Sequence, residues 1–242
     1  MTARTQARLI PNPVGDYNPI PQYGPVKTYR SLVIGGTKMS ALLWPKNTLT
    51  QGTSSQRGGT TATNLKAAIS ALKATDDNKY WIAGHLLNAE MGGRGEEQRN
   101  LTPLTGVTNQ SHARFEGVIK NALVTLDRTY SESLRDNEID SFWSAQYSVS
   151  VHGNYHDTNS QYQEYNMAPE YISLEFKYFR LKKTGPRILL YGGWSSLFPH
   201  RHLSHFDLRS NNYRELSKTA GVSDFQILDG TNSGFRAKIY NI

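Results

Sequence analysis

The sequence predicts an α+β fold, an antiparallel sheet with packed helices, on three observations. Segments 143–151 (WSAQYSVSV), 171–181 (YISLEFKYFRL) and 235–240 (FRAKIY) alternate in polarity, as strands with one wetted face do, and 187–191 (RILLY) adds a shorter strand. Downstream of Thr108, the run TNQSHARFEGVIKNALVTLD places Phe115, Val118, Ile119, Ala122 and Leu126 on one apolar helical stripe. Between 80 and 126 the order is strand, loop, strand, helix, a compact ββα unit.

The remaining elements follow in order. Residues 1–27 carry Pro11, Pro13, Pro19, Pro21 and Pro25, which forbid a regular helix and favour an extended segment. The rest, 28–242, reads as a single domain. From Tyr29 to Trp44 two short apolar runs flank Gly35-Gly36, the pattern of a hairpin. The small, polar stretch 46–63 reads as a mobile surface loop. Leu65, Ile69 and Leu72 have helical spacing over 64–74, with Asn64 as candidate cap. Tyr80–Leu87 and Asn100–Thr105 are the two strands that precede the long helix.

Charge narrows the partners. Lys and Arg total 27 against 20 Asp and Glu, a net +7 that favours a polyanion through encounter and steering. The absence of cysteine excludes a disulfide framework, a thiolate zinc site and a cysteine nucleophile. No run approaches the ~18 apolar residues of a membrane helix. The N-terminus lacks the apolar stretch of a secretory signal, so the expectation is a protein cytoplasmic in its producer or exported by a specialised secretion or injection system.

The chemistry concentrates between Trp81 and Lys120. Here His85 directly follows Gly84 at a strand end, and Asn109 and Glu116 stand seven residues apart on the helix. Histidine is the side chain that serves as a neutral base near pH 7. Positions 109, 116 and 120 share a helix face. An asparagine ligand leaves most of a Mg²⁺ shell to water and phosphate, which suits an ion that dehydrates reluctantly. Blander roles stand beside these. Asn109 suits a helix cap, and Glu116 could simply pair with Lys120 at i,i+4. Gly92, Gly93 and Gly95 read as a turn, since no Walker-type lysine and hydroxyl follow. His152 and His156 lack the glutamate of a metalloprotease pair, and Gly153 and Asn154 between them oppose a helix. The group His200, His202 and His205 lacks an obvious partner carboxylate and reads as a polar loop, while Ser195 does not fit a nucleophile elbow.

Two segments carry a family resemblance. GHLLNAEMGGRG resembles the glycine–histidine segment, and NLTPLTGVTNQSHARFE the asparagine–glutamate segment, of the DNA/RNA non-specific endonucleases, the ββα-metal or His-Me finger group, especially its polymorphic-toxin branch. The resemblance spans about forty residues of the chain. It implies a ββα-metal core at about 80–126. His85 would be its general base, Asn109 the ligand of Mg²⁺ or another divalent cation, and Glu116 a helper that orients metal-bound water or the ion. The family commonly has Asp-Arg before Gly-His, where this chain has Ile82-Ala83, so a guanidinium clamp on the phosphate is missing. Lys120 matches a position where the family often has arginine, and Arg94, Arg99 and Arg114 are further candidates to bind the nucleic acid. The implied activity is sequence-nonspecific hydrolysis of DNA or RNA by a toxin effector with an immunity protein or delivery apparatus as partner. The rival is a non-catalytic basic nucleic-acid-binding or particle-associated structural protein on the same scaffold.

Overall fold

A computed structural model describes residues 21–43, 63–75, 78–135, 141–155, 162–182, 216–228 and 234–242. The strands are β1 (Gln22–Tyr23), β2 (Val26–Tyr29), β3 (Leu32–Gly36), β4 (Lys38–Leu43), β5 (Trp81–His85), β6 (Leu101–Thr105), β7 (Ser141–His152), β8 (Tyr171–Lys182), β9 (Val222–Leu228) and β10 (Gly234–Tyr240). Helix α1 spans Thr63–Thr75 and α2 spans Gly106–Arg135. All described pairings are antiparallel. Six strands form one sheet in the order β1-β4-β7-β8-β10-β9, while β2–β3 and β5–β6 are separate ribbons.

Alternation along the long strands does what the sequence pattern predicts. Met39, Ala41 and Leu43 of β4, Tyr147 and Val149 of β7, Leu174 and Phe176 of β8, and Phe235 and Ala237 of β10 are buried. Their neighbours Ser40, Ser148, Ser173, Glu175, Arg236 and Lys238 line the opposite, polar face. The apolar face takes up α2 through Phe115 and Ile119, both fully buried. The Phe115 ring lies 5.6 Å from that of Phe235 and 6.2 Å from that of Phe225. Burying each such side chain contributes about 1.5–3 kcal/mol. A second core gathers Leu65, Ala68 and Leu72 of α1 around Trp81, Leu101 and Ile34, with Tyr155 edge-on to Trp81 at 5.2 Å. The ribbon β5–β6 joins the two cores, sending Leu104 into the first and Trp81 and Leu101 into the second. That double anchorage is what holds the ribbon rigidly in front of α2.

Several sequence expectations change. The hairpin turns at Arg30–Ser31, both at positive φ, and pairs β2 with β3. Gly35-Gly36 is not its turn. Those glycines carry the chain from the ribbon to the main sheet and admit close backbone: a Cβ on Gly36 would lie 1.8 Å from the Arg99 carbonyl oxygen. Helix α1 begins at Thr63, so Asn64 lies within it and is not its cap. Strand β9 had no clear signal in the sequence. Chain segments 1–20, 44–62 and 183–215 lie outside the described residues, and with them most of the Pro-rich segment, the polar loop, the strand 187–191, Ser195 and His200, His202 and His205. His156 and the side chains of Ala122 and Leu126 also lie outside them, and His152 ends β7. Among the described residues no helix is long and apolar enough to cross a membrane.

Candidate active site

Strand β5 ends on His85, which is half-buried, and pairs it with Leu101 of β6. Gly84 is buried behind it. A Cβ there would lie 2.5 Å from Leu104 Cδ1 and 3.2 Å from Asn109 Oδ1. The amide oxygen of Asn109 therefore lies close over the residue that precedes His85, and a side chain on Gly84 would press on Leu104 and, less tightly, on that oxygen. Glycine at position 84 is thus a packing requirement of the β5–α2 junction.

Asn109 sits in the first turn of α2, but it does not cap the helix. Thr105 does: its Oγ1 accepts from Thr108 N at 3.2 Å and lies 2.8 Å from Thr108 Oγ1. A threonine oxygen in this position satisfies one of the orphan N–H groups of a helix start. Among the described residues no hydrogen bond engages the Asn109 side chain, which leaves its oxygen available to a ligand.

Glu116 is buried, and both its oxygens are taken by the loop that follows β5. Oε1 accepts from Asn88 N at 2.9 Å and Oε2 from Asn88 Nδ2 at 3.1 Å. Burial pushes its carboxyl up to about 8, against the lowering effect of those bonds and of the Lys120 charge. Two N–H groups aimed at the two oxygens make Glu116 an anchor for the loop. Lys120 does not pair with Glu116. It reaches Glu90, on the short 3₁₀ turn Ala89–Met91.

The same loop is tied from below by Asn100, fully buried. Its Oδ1 accepts from Leu87 N at 2.9 Å, and its Nδ2 donates to the carbonyls of Leu87 and Arg94, each at 3.1 Å. Gly92, at φ 92°, closes the turn, and a Cβ on Gly93 would lie 1.7 Å from the Leu87 oxygen. These glycines make a turn and a close backbone approach.

Between Asn109 and Glu116 on the same helix face stands His112, 1% exposed. Its Nε2 lies 2.6 Å from Tyr147 Oη and 3.9 Å from Glu116 Oε1. Burial, with the His85 charge second, lowers it to about 4, so this ring is neutral at pH 7. Burial holds the Tyr147 phenol well above its ordinary value.

The arginines are distributed differently. Arg99 forms a two-pronged pair with Glu97, both N–O distances 2.9 Å, and its guanidinium lies 5.6 Å from the Tyr23 ring centre. Arg94 is exposed beside the glycine turn. Arg114 is exposed and projects about 140° around α2 from Asn109, so the helix does not bring the two together. The structure therefore gathers His85, Asn109, Glu116 and, at the margin, Lys120, and leaves Arg114 apart.

Sequence reasoning passed over four residues of this network. His112 was legible, three residues after Asn109 and four before Glu116, hence on their face. Asn88 and Asn100 lie within the motif segments but carry no spacing signal for their loop contacts. Tyr147 is 35 residues from His112 and only the sheet brings it there.

Among the described residues no three His, Cys, Asp or Glu side chains cluster as a ready metal cage. The donor set at hand is one amide oxygen near a histidine, which suits a hard cation held mainly by water and substrate oxygens.

No protein-family model matches the chain, and no curated protein matches it. Among solved structures, the chain is similar to an extracellular nuclease at 16% identity and a TM-score of 0.41, over 93% of this chain and 85% of that one. It is also similar to an extracellular endonuclease at 13% identity and a TM-score of 0.37, over 93% of this chain and 79% of that one. A likeness this slight assigns no residue a role.

Proposed function

We propose that the protein is a metal-dependent, sequence-nonspecific endonuclease that hydrolyses phosphodiester bonds of DNA, RNA or both. The observation that carries the reading is the packing of Asn109 Oδ1 over Gly84, next to His85. It supports the reading because it brings the Asn109 amide oxygen beside the strand residue that precedes His85, although Asn109 and His85 lie 24 residues apart in the chain.

His85, at the end of a strand held by two cores, accepts a proton from the water that attacks phosphorus in line. Asn109 would hold Mg²⁺ or another divalent cation. When bound, such an ion supplies neutralisation of the charge that develops on the phosphoryl and departing oxygens. Glu116 keeps the loop after His85 against α2 through its two bonds to Asn88. Lys120 and Arg94, with Arg99 at the rim, offer positive charge to the backbone on either side of the scissile bond. Contacts of that kind position a nucleic acid without reading its bases. The toxin-branch resemblance extends the proposal to an effector used against other cells, with an immunity protein or a delivery apparatus as partner.

The decisive experiment is digestion of plasmid DNA and of RNA by the purified chain, with Mg²⁺, without it, and with EDTA. Cleavage that requires the ion is expected, and His85→Ala is expected to lose about 10²–10⁴-fold of it while still binding DNA. A folded His85→Ala protein that keeps more than half the activity refutes the assignment, and binding without any cleavage favours the inert rival.

A further inference from the structure

The face of the main sheet turned away from α2 is polar and carries none of the residues of the candidate active site. Its side chains border a trough of about 710 Å³. We propose that this trough is a second nucleic-acid site, which holds the sugar–phosphate backbone of a single strand on the row Lys38, Ser150, Ser173 and Lys238. The inference goes beyond the nuclease reading, because binding here involves neither His85 nor Asn109.

The strand registers set the row. Lys38 of β4 pairs with Ser150 of β7, Ser150 with Ser173 of β8, and Ser173 with Lys238 of β10. Residues directly opposite each other in an antiparallel sheet share a face, and all four border the trough. Neighbouring strands lie about 4.8 Å apart, so three steps separate the two lysines by about 14 Å at their Cα atoms. Long cationic chains at the ends and short hydroxyls between them leave a low floor with donors on it, which suits a run of phosphate oxygens. Ser173 Oγ lies 2.7 Å from His152 Nε2, while among the described residues no hydrogen bond engages the side chain of Ser150.

Charge selects the occupant. Four cations, Lys38, Lys177, Arg236 and Lys238, border the trough against two carboxylates, Glu175 and Asp224. Lys177 meets Glu175 at 2.6 Å, so these two offset each other. Lys238 meets Asp224 at 2.7 Å, but the side chains are 38% and 57% exposed, and a pair so open to water is weak. Arg236, two residues from Lys238 on β10 and so on the same face, donates only to the neutral oxygen of Gln226. Among the described residues no hydrogen bond or ion pair engages the Lys38 side chain. The surplus is therefore positive and open to an anion. Of the residues that line the trough, only Leu174 and Ala237 are apolar, whereas a protein interface is built around an apolar core. The Tyr171 ring nearby is stacked on His152 at 4.8 Å and has Lys238 at 5.3 Å, so bases find no free ring to stack on. Recognition then goes through the backbone and ignores sequence. A space of this volume is that of a small-ligand site and takes a short stretch of one strand.

The test titrates the full chain, in EDTA at low salt, with a single-stranded DNA of about eight nucleotides, within the span one binding module covers, and counts the strands bound by calorimetry. Wild type is compared with Lys38→Gln/Lys238→Gln and with Lys66→Gln/Lys73→Gln, which removes the same charge from exposed positions of α1. Two strands per wild-type chain are expected, one at the candidate active site and one in the trough. The count should fall to one in the first variant and stay at two in the α1 control. Lys38→Gln alone should keep the trough site and lower its log–log salt slope by about 0.7, one phosphate contact on a single strand. A strand of the same length without bases should fill the trough as well as the DNA does. An unchanged count in the folded double variant, an equal loss in the α1 control, failure of the baseless strand, or a trough that takes the duplex more tightly than the strand each overturns the inference. Should the double variant not fold, the slope of Lys38→Gln decides, and an unaltered slope overturns it. A wild type that binds one strand, lost in Lys38→Gln/Lys238→Gln, upholds the trough and counts against the candidate active site. One strand that persists in that variant overturns the trough and leaves the nuclease reading standing, and a wild type that binds none overturns both.

Discussion

Replacing Gly84 by alanine tests whether the glycine before His85 is there for packing. The backbone at Gly84 is not in the left-handed region, so conformational strain does not enter, and the whole cost is steric. The added methyl would sit 2.5 Å from Leu104 Cδ1, 2.9 Å from Leu104 Cγ and 3.2 Å from Asn109 Oδ1. Leu104 is fully buried in the main core, so it cannot yield by swinging into solvent. Overpacking of this kind costs about 1–3 kcal/mol. For a domain of this size each kcal/mol lowers the melting temperature by about 2–4 °C, so a fall of roughly 2–12 °C is expected. The contact with Asn109 adds a functional effect, because relieving it moves the amide away by a few tenths of an ångström or more. Metal-dependent cleavage should therefore fall further than the loss of folded protein accounts for. Gly117→Ala is the matched control on α2. Nothing lies within 4 Å of its added methyl, and alanine in a helix interior is favoured over glycine by about 0.5–1 kcal/mol. Thermal melts and initial cleavage rates on both variants at saturating Mg²⁺ provide the comparison. A Gly84→Ala protein as stable and as active as wild type would refute the packing argument and with it the placement of Asn109 beside His85.

Three further outcomes are expected. Asn109→Ala should lose cleavage and keep its melting temperature, whereas Thr105→Ala should lose about 0.5–2 kcal/mol of stability, since Thr105 supplies the cap; melting and cleavage on both variants check the division, and a destabilised but active Asn109→Ala protein contradicts it. In the pH dependence of stability, unfolded His112 takes up a proton near 6.5 while the folded ring resists until about 4, so its contribution is present above 6.5 and is lost as the pH falls from 6.5 to 4, on the order of 3 kcal/mol in all. Denaturant titrations of wild type and His112→Asn across that range should diverge in slope, and parallel curves would show that the ring titrates normally. Glu116, raised to about 8, acts with the opposite sign, losing stability as the pH rises from 4.5 towards 8, but it is common to both proteins. Finally, if phosphates are the main contacts, log affinity for duplex DNA in EDTA should fall linearly with log salt by about 0.9 per phosphate neutralised, and binding indifferent to salt would point to another kind of ligand.

What the sequence determined by itself was local or periodic. Alternation in β7, β8 and β10 was enough to read an antiparallel sheet with one wet face, because a strand's side chains must point to opposite sides. The stripe Phe115–Ile119 marked the buried side of α2, and the seven-residue spacing of Asn109 and Glu116 put those two on a face they share with each other. Tertiary structure decided the rest. Whether Asn109 caps its helix depended on Thr105 reaching Thr108 first. Lys120 pairs with the exposed Glu90 of the loop, while Asn88 bonds both oxygens of the buried Glu116. Gly35-Gly36 looked like a turn because glycine permits one, but its task is to let a distant backbone approach, and sequence does not record distant backbone. His112 acquired its meaning from Tyr147, which only the folded sheet brings to its ring. Spacing along one element is written in the chain. The partner chosen across elements follows from packing, where burial removes water as a competitor and leaves each polar group to whichever neighbour the fold supplies.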